Sequence, residues 1–271
     1  MLERAGPNLF LQTLAPEPKL KEPTLLVGLP GMGHVAKLSA DYLVEQLGGK
    51  PFLRIFSPAF PPYIVCRDGM VEATQNELYY WKGDPDLIIY TGNTQPENTT
   101  PGAIRAHYEI AEAVLDLARR LGAVRLVATA AYILDRPVES PRVWGVATDP
   151  KTLGELKGLG VHVMKEGSIT GLNGLVLGIA AQRSIAGACL LGESSTPQME
   201  DPRAARAVLE VVAKWLGLSL DMKGLEKRIK NQEKVAAERQ AMERKMIEQL
   251  LKRAGQEGPG GSAPPSPDYI R

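Results

Sequence analysis

The chain has 271 residues, a hydrophobic fraction of 44% and a formal net charge of +1 at pH 7. This length is enough for one large α/β domain with an appendage. The near-neutral charge gives no basic field of the kind that attracts nucleic acid. No apolar run approaches the ~18 residues that a membrane-spanning helix needs. We therefore expect neither nucleic acid nor a membrane as a partner.

The N-terminal segment and the cysteines favour a cytoplasmic protein. Proline and charged residues interrupt residues 1–18, so we expect no secretion signal there. The two cysteines, Cys66 and Cys189, both lie in apolar, strand-like runs. This is typical of free thiols in a reducing cytosol.

The predicted elements begin after an N-terminal arm. Residues 1–23 show no clear period and contain several prolines, which predicts an extended arm. From residue 24 to about 220, short apolar runs alternate with amphipathic helical patterns. The predicted strands are 24–29, 51–56, 63–67, 86–92, 124–130, 143–149 and 184–192. The predicted helices are 33–47, the stretch from Pro101 to Gly122, a short one after Asp149, 173–182, and the stretch from Pro202 to Gly217.

Strands that alternate with helices form βαβ units, and such units build a parallel sheet with helices on both faces. We therefore predict a three-layer α/β/α domain over residues 24–220 with a mostly parallel central sheet. Hairpin-like stretches between 51 and 81 indicate that some strands are antiparallel. A long, highly charged helix is predicted at 221–254, with an apolar stripe that another copy could cover. Residues 255–271 contain GQEGPGGSAPPSP and predict a flexible tail.

A glycine-rich turn lies between the first predicted strand and the first helix. Residues 31–36, GMGHVA, match the G-x-G-x-x-A pattern of dinucleotide sites. In dinucleotide sites, an acidic residue at the end of the next strand binds a ribose hydroxyl of the ligand. Here residues 55–58 at that position read IFSP, so this carboxylate is missing. A P-loop is excluded because His and Val at 34–35 replace Lys and Ser or Thr. We interpret Gly31 and Gly33 as structural, allowing a tight turn and close helix–strand packing.

Polar residues at the ends of buried strands form a candidate ligand pocket. If the strands are parallel, these residues share the carboxyl edge of the sheet with the glycine turn, where ligands of open α/β sheets bind. The alternative is that they form turns and helix caps, which the same residue types favour. The candidates are Gly31, Gly33, His34, Asn93, Gln95 and Glu193.

The sequence offers no recognisable set of catalytic or metal-binding residues. His34, His107 and His162 are far apart, without the spacing of paired metal ligands. There is no G-x-S-x-G elbow and no paired Cys/His arrangement. We expect His107 to serve packing or to lie on the surface, and Asn173 to cap the helix at 173–182. We predict no cofactor, no metal and no enzymatic activity.

Five segments of the chain carry a family resemblance. In order they are GLPGMGHVAKLSADYL, LIIYTGNTQPENTTPGAIRAHYEIAEAVLDLARRLG, GSITGLNGLVLGIA, CLLGESS and DPRAARAVLEVVAKWLG. Together, over about residues 24–218, they resemble the archaeal branch of the proteasome assembly chaperone family. That branch is related to the second subunit of the eukaryotic assembly-chaperone heterodimer. The resemblance implies a fold similar to nucleoside phosphorylases, homo-oligomers, and C-terminal tails that engage the α-subunit ring of the core proteasome.

The C-terminus departs from the docking pattern that this resemblance implies. Docking tails in the family end in a hydrophobic residue, tyrosine and any residue. This sequence ends in Tyr269, Ile270 and Arg271, so its tyrosine is third from the end. A shifted insertion would use Tyr269 as the anchor and the carboxylate of Arg271 as the charged group.

Three hypotheses follow. The first is a non-enzymatic chaperone or adaptor, in which an α/β body oligomerises and flexible tails engage a proteasome ring. The second is a nucleotide-binding or small-molecule enzyme, ATP-grasp-like or phosphorylase-like, that uses the pocket at the carboxyl edge. The missing acidic partner and P-loop lysine disfavour it, and so does the absence of an ATP-grasp set of metal-binding carboxylates. The third is a structural oligomer whose tail has no partner. We adopt the first.

Overall fold

The computed structural model describes residues 2–97 and 100–256. Residues up to Leu225 form one compact unit, and a second unit begins at Glu226. A helix at Lys223–Gln256 starts in the first unit and makes up the described part of the second. Within the described ranges, no helix is both long and apolar enough to cross a membrane.

A ten-stranded sheet forms the centre of the first unit, with the strand order β1-β2-β4-β7-β8-β3-β9-β12-β10-β11. Two further strands, β5 and β6, pair separately as a hairpin. The strands are β1 Leu2–Gly6, β2 Leu9–Thr13, β3 Thr24–Gly28, β4 Lys50–Phe56, β5 Ile64–Arg67, β6 Met70–Ala73, β7 Asn76–Trp81, β8 Leu87–Gly92, β9 Arg125–Ile133, β10 Val143–Ala147, β11 His162–Val163 and β12 Gly187–Ser194.

The sheet is mixed, with a parallel centre. Strands β8, β3, β9 and β12 are neighbours and all pair in parallel. On one side, β7, β4, β2 and β1 continue the sheet with antiparallel pairings. On the other side, β10 runs antiparallel to β12 and parallel to β11. The predicted parallel arrangement thus describes the centre. Of the antiparallel strands expected between 51 and 81, β4 and β7 belong to the flank of the sheet, and β5 and β6 form the separate hairpin.

Helices cover both faces of this sheet, which confirms the α/β fold with helices on both sides. The helices that pack on it are α1 Val35–Leu47, α2 Pro101–Arg120, α3 Pro150–Gly158, α4 Gly171–Gln182 and α5 Pro202–Leu216. A sixth helix, α6 Lys223–Gln256, follows them in the chain. Side chains alternate between the faces of a strand. On β3, Leu25 and Val27 therefore join the core beneath α2 and α4, while Leu26 joins the core beneath α1, α3 and α5.

Three helices begin at the caps that the sequence predicts. The side chains of Thr100, Asp149 and Asp201 accept hydrogen bonds from backbone N–H groups in the first turns of α2, α3 and α5, at 3.2, 2.9 and 3.0 Å. A proline follows each cap, where its missing N–H costs no helical hydrogen bond. These local signals explain why the helix starts were predictable.

The N-terminal segment, which the sequence predicts as an extended arm, forms a hairpin at the edge of the sheet. Strand β2 pairs with β4, and β1 forms the outermost strand. The prolines that argued against regular structure lie between or after the two strands, where they remove no ladder hydrogen bond. Leu9 is 4% exposed and anchors the hairpin to the core.

Both cysteines are free and lie on strands, as the sequence indicates. Cys66 is exposed on β5, and Cys189 is buried on β12. Burial raises the pKa of the Cys189 thiol to about 12. This thiol is therefore protonated and unreactive at neutral pH, and it serves as a small apolar core residue.

Gly28 at the end of β3 provides a stability test of the close packing between β3 and α1. A Cβ at Gly28 would lie 2.3 Å from the carbonyl oxygen of Ala36 and 2.6 Å from the Cβ of Ala40. We expect Gly28→Ala to lower the free energy of unfolding by about 1–3 kcal/mol, the usual cost of overpacking a core. Urea denaturation measures the change.

Gly154→Ala on α3 is the matched control. A Cβ at Gly154 meets nothing within 4 Å, so this change should leave stability unchanged or raise it by up to about 1 kcal/mol. Equal stability of the two variants would contradict the proposed packing.

Candidate functional site

The turn between β3 and α1 is the glycine-rich segment that the sequence singles out. After β3 ends at Gly28, a short 3₁₀ turn at Met32–His34 leads into α1. Gly33 has φ of 61° and His34 has φ of 48°, so two consecutive residues are left-handed. Glycine reaches this conformation without steric cost. The conformation of Gly33 supports the structural interpretation of the turn.

Asn173 holds this turn from the opposite layer. Leu29 is buried and follows the last paired residue of β3, so its peptide groups need partners. The Oδ1 of Asn173 accepts a hydrogen bond from Leu29 N at 3.0 Å, and its Nδ2 donates to Leu29 O at 3.1 Å. We had expected Asn173 to cap a helix, and this expectation was wrong. Helix α4 already starts at Gly171, and Asn173 lies in its first turn.

Gln95 makes a second amide bridge between the same elements. Its Nε2 donates to the carbonyl of Pro30, and its Oε1 accepts from Leu172 N at 2.7 Å. Together Gln95 and Asn173 join three segments that are far apart in sequence: the glycine turn, the loop after β8, and the start of α4. We call this pair of side chains the amide clamp.

A cavity of about 260 Å³ lies beside the amide clamp. Two predicted pocket residues, Gly31 and Gln95, line it. It also borders His107 on α2, Ser168 and Thr170 before α4, and Asn173. No local sequence pattern indicates these additional residues, because they meet only when α2 and α4 pack on the same face of the sheet.

Gly33 and His34 face another part of the molecule. Gly33 N donates to the carbonyl of Pro197 at 3.0 Å, and Asp201 N donates to the carbonyl of Gly33 at 2.8 Å. His34 Nδ1 lies 3.9 Å from a carboxylate oxygen of Glu200. These contacts join the turn to the loop before α5, so Gly33 and His34 do not line the cavity with Gly31.

Asn93 also lies outside the cavity and has a turn-forming role. Its Oδ1 accepts from Gln75 N at 2.8 Å, and its Nδ2 donates to the carbonyl of Ala73 at 3.0 Å. These bonds connect the end of β8 to the last residue of β6 and to the loop that follows β6. The alternative interpretation of Asn93, a turn residue, fits this geometry.

Glu193 is a buried structural anchor, with 1% of its surface exposed. Its Oε1 accepts from Arg142 Nε at 2.8 Å and from Trp144 Nε1 at 3.0 Å, and its Oε2 accepts from Arg142 N at 3.1 Å. Burial alone would raise the pKa of this carboxyl, but the hydrogen bonds from Arg142 and Trp144 lower it to about 2. Glu193 is therefore ionised and fully engaged in joining β12 to β10.

The six predicted residues thus divide among four environments, and only Gly31 and Gln95 share the cavity. The cavity walls supply amide, hydroxyl and imidazole groups but no side-chain carboxylate and no nucleophile–base pair. Among residues 2–97 and 100–256, no group of three or more His, Cys, Asp or Glu side chains is arranged to hold a metal ion.

Tyr269, Ile270 and Arg271, the predicted partner-binding residues, lie outside the described residues. Nothing in the structure bears on their contacts. Their role stays a prediction from the sequence.

Sequence comparison assigns the chain to a family. A profile of the PAC2 family matches residues 25–240. An uncharacterised protein of Methanocaldococcus jannaschii is 32% identical over 231 residues, which are 84% of this chain and 87% of that protein. The profile match runs from β3 into α6 and leaves out the N-terminal strands β1 and β2.

Two crystal structures from Pyrococcus furiosus are similar over most of the chain. PbaB, described as an archaeal proteasome activator, is 34% identical with a TM-score of 0.79, covering 86% of this chain and 99% of PbaB. PbaA, described as an archaeal homologue of a proteasome-assembly chaperone, is 26% identical with a TM-score of 0.71, covering 91% of this chain and 97% of PbaA. The similarity extends over the same sheet and both helical layers.

The buried carboxylate of Glu193 predicts a loss of stability in acid. Because its folded pKa of about 2 lies below the unfolded value of about 4.3, ionised Glu193 stabilises the protein above that unfolded pKa. This contribution is lost as the pH falls from about 4.5 towards 2. We expect Glu193→Gln to lower stability at pH 7 by roughly 1.5–3 kcal/mol, as for hydrogen bonds to a charged group. The same change should reduce the pH dependence in that window.

Urea denaturation at several pH values provides the measurement. Glu139→Gln, a change at an exposed carboxylate, is the matched control and should behave as wild type. The assignment fails if Glu193→Gln and wild type lose stability in parallel between pH 4.5 and 2.

Proposed function

Because this chain belongs to the PAC2 family, we propose that it is a homo-oligomeric, cytoplasmic adaptor or assembly chaperone that engages the α-subunit ring of the core proteasome through its C-terminal tails. The family is one of proteasome-assembly chaperones, a role without catalysis. The free thiols of Cys66 and Cys189 support a reducing compartment.

One observation carries this proposal. PbaB, an archaeal proteasome activator, is 34% identical to this chain, and the match covers 99% of PbaB. Similarity over a whole relative supports a related role better than a shared fold does, since one fold hosts many functions.

The tail supplies a physical basis for ring binding. The composition of residues 257–268, which lie outside the described residues, predicts a flexible linker, and ~12 residues of such a linker would have a root-mean-square reach of roughly 20 Å. Several tails of one oligomer could thus engage neighbouring sites on a ring, and such linkage raises avidity by about 10²–10⁴-fold. Tyr269 provides a rigid aromatic anchor, and the terminal carboxylate provides a charge that a basic pocket can pair with.

An exposed apolar face on the β5–β6 hairpin supports the homo-oligomer. Cys66 pairs with Val71 and Ile64 pairs with Ala73, so these four side chains lie on one face of the hairpin. All four are exposed, with Ile64 at 56% and Val71 at 68%. We call them the hairpin face. A lone two-stranded hairpin is marginal in water, and apolar surface of this kind marks an interaction site.

We assign the hairpin face to a second copy of this chain. It contains no charged side chain, so two copies can meet across a two-fold axis without bringing like charges together. Burying it would remove the exposed thiol of Cys66 from solvent as well.

The tail hypothesis predicts that Tyr269→Ala weakens binding to the cognate core proteasome. Loss of an aromatic anchor costs about 1.4 kcal/mol or more, which is at least about a tenfold drop in affinity. Removal of Arg271 makes the tyrosine penultimate, and we expect it to strengthen binding. Surface plasmon resonance with immobilised core particles measures both effects.

Ser266→Ala, a change in the same tail, is the control and should bind as wild type. If Tyr269→Ala and the version without Arg271 both retain wild-type binding, the tail is not the docking element. If wild type does not bind core particles at all, the proposed function is wrong.

The hairpin face predicts a charge-sensitive oligomer. Val71→Glu places a carboxylate in the proposed interface, and we expect multi-angle light scattering to show a smaller species than wild type. Burial of an unpaired charge explains this outcome. The control is Met70→Glu on the opposite face of the same hairpin, where the side chain is 73% exposed. A monomeric wild type, or an unchanged mass for Val71→Glu, refutes the interface.

A further inference from the structure

A cleft of about 280 Å³ lies at the amino ends of β3 and β9, whereas the glycine turn follows the carboxyl end of β3. We call it the amino-end cleft. Its walls come from the last turns of α2, the first residues of β3 and β9, and the turn between α4 and β12. In the described structure it shares no lining residue with the cavity beside the amide clamp.

The interior of the amino-end cleft is apolar. Leu25, Leu115 and Leu126 line it and belong to the core beneath α2 and α4. Val124 also lines the cleft and is 52% exposed, so the apolar surface continues from the interior to the mouth. A hydrocarbon chain bound there leaves water, and this transfer is favourable for each methylene group.

One arginine of the amino-end cleft has no carboxylate partner. Arg119 lines the cleft from α2 and is exposed, and in the described part of the chain no ion pair or side-chain hydrogen bond involves it. Three neighbouring arginines do have partners: Arg120 pairs with Glu17, Arg125 with Glu155, and Arg183 with Glu112 and Asp116. None of the described residues that line the cleft is acidic. Arg119 is therefore the cation that a bound anion can reach.

A guanidinium beside an apolar surface is suited to a carboxylate. Its planar N–H groups bind both carboxylate oxygens in parallel, and such charge-assisted hydrogen bonds are about twice as strong as neutral ones. Ser184 adds a hydroxyl donor from the turn between α4 and β12. The same cleft thus offers polar groups for a charged head and an apolar surface for a chain.

The end of α2 does not oppose an anion at this position. The carboxyl end of a helix carries partial negative charge on carbonyl groups that have no partner within the helix. Here the N–H groups of residues 121–123 donate to the carbonyls of residues 117–119 at 2.9–3.0 Å. Three of the last four carbonyls of α2 are therefore occupied, which reduces their repulsion of a carboxylate.

We propose that the amino-end cleft binds an amphipathic carboxylate, a compound with one carboxylate group and a short hydrocarbon chain. The carboxylate pairs with the guanidinium of Arg119 and accepts a hydrogen bond from the hydroxyl of Ser184. The chain lies against Leu25, Leu115 and Leu126. At about 280 Å³ the cleft is just below the range of about 300–1,000 Å³ for drug-sized ligands, so a chain of about six to eight carbons fits better than a long fatty acid. The site requires neither the tail nor the hairpin face and is independent of proteasome binding.

Equilibrium dialysis of the full-length protein with radiolabelled octanoate tests the proposal, with unlabelled butanoate, hexanoate, decanoate and hexan-1-ol as competitors. Each added methylene group that enters the cleft should raise the affinity about fourfold, so hexanoate should bind roughly fifteenfold more tightly than butanoate. Decanoate should gain little over octanoate, because the cleft is then filled. Hexan-1-ol has the chain without the carboxylate and should compete at least about tenfold more weakly than hexanoate.

Arg119→Gln is the decisive variant. It removes the charge, and we expect it to weaken octanoate binding at least about tenfold while the melting temperature of the ligand-free protein stays unchanged. Arg105→Gln, nearer the start of α2 and outside the cleft, is the matched control and should bind octanoate as wild type. The proposal is refuted by any of three results: no saturable binding of octanoate, equal competition by hexanoate and hexan-1-ol, or wild-type affinity in Arg119→Gln.

Discussion

The arrangement of the first unit depends on two side-chain amides that satisfy buried peptide groups. Where β3 ends, its backbone leaves the sheet in the protein interior, and a peptide group there cannot be left without partners. Asn173 supplies both a donor and an acceptor to Leu29, as a neighbouring strand would. Gln95 does the same between Pro30 and Leu172. The clamp therefore fixes the start of α4 relative to the glycine turn.

This constraint also explains the cavity. Because both amides are engaged with backbone groups, they hold the walls and are not free to bind a ligand themselves. The cavity beside them is also lined by His107, Ser168 and Thr170.

Much of the fold was predictable because its signals are local. The capping residue, the proline and the first residues of the apolar repeat lie within one helical turn of each other. These local signals predict the starts of α2, α3 and α5. Side-chain partnerships were not predictable in this way. Asn173 and Leu29 are 144 residues apart, and no local pattern indicates that they meet.

The predicted pocket residues lie in separate parts of the structure for a geometric reason. Asn93 and Glu193 belong to the ends of β8 and β12, which are three strands apart in the sheet. At about 4.8 Å per strand this separates them by roughly 14 Å, too far for one small ligand. A shared edge therefore did not make a shared site. Gly31 and Gln95 come from the neighbouring strands β3 and β8, and they do meet at the cavity.

The N-terminal hairpin has a practical consequence for preparing the protein. Strand β1 begins at Leu2 and forms the outer edge of the ten-stranded sheet, with one side of its backbone unpaired in the described structure. Glu3 and Arg4 are exposed on it, and charged side chains discourage edge-to-edge association. An affinity tag fused ahead of Leu2 would continue directly from this edge. A tag with high β-propensity would lengthen the edge strand and promote aggregation. A linker with proline and charged residues would terminate the strand.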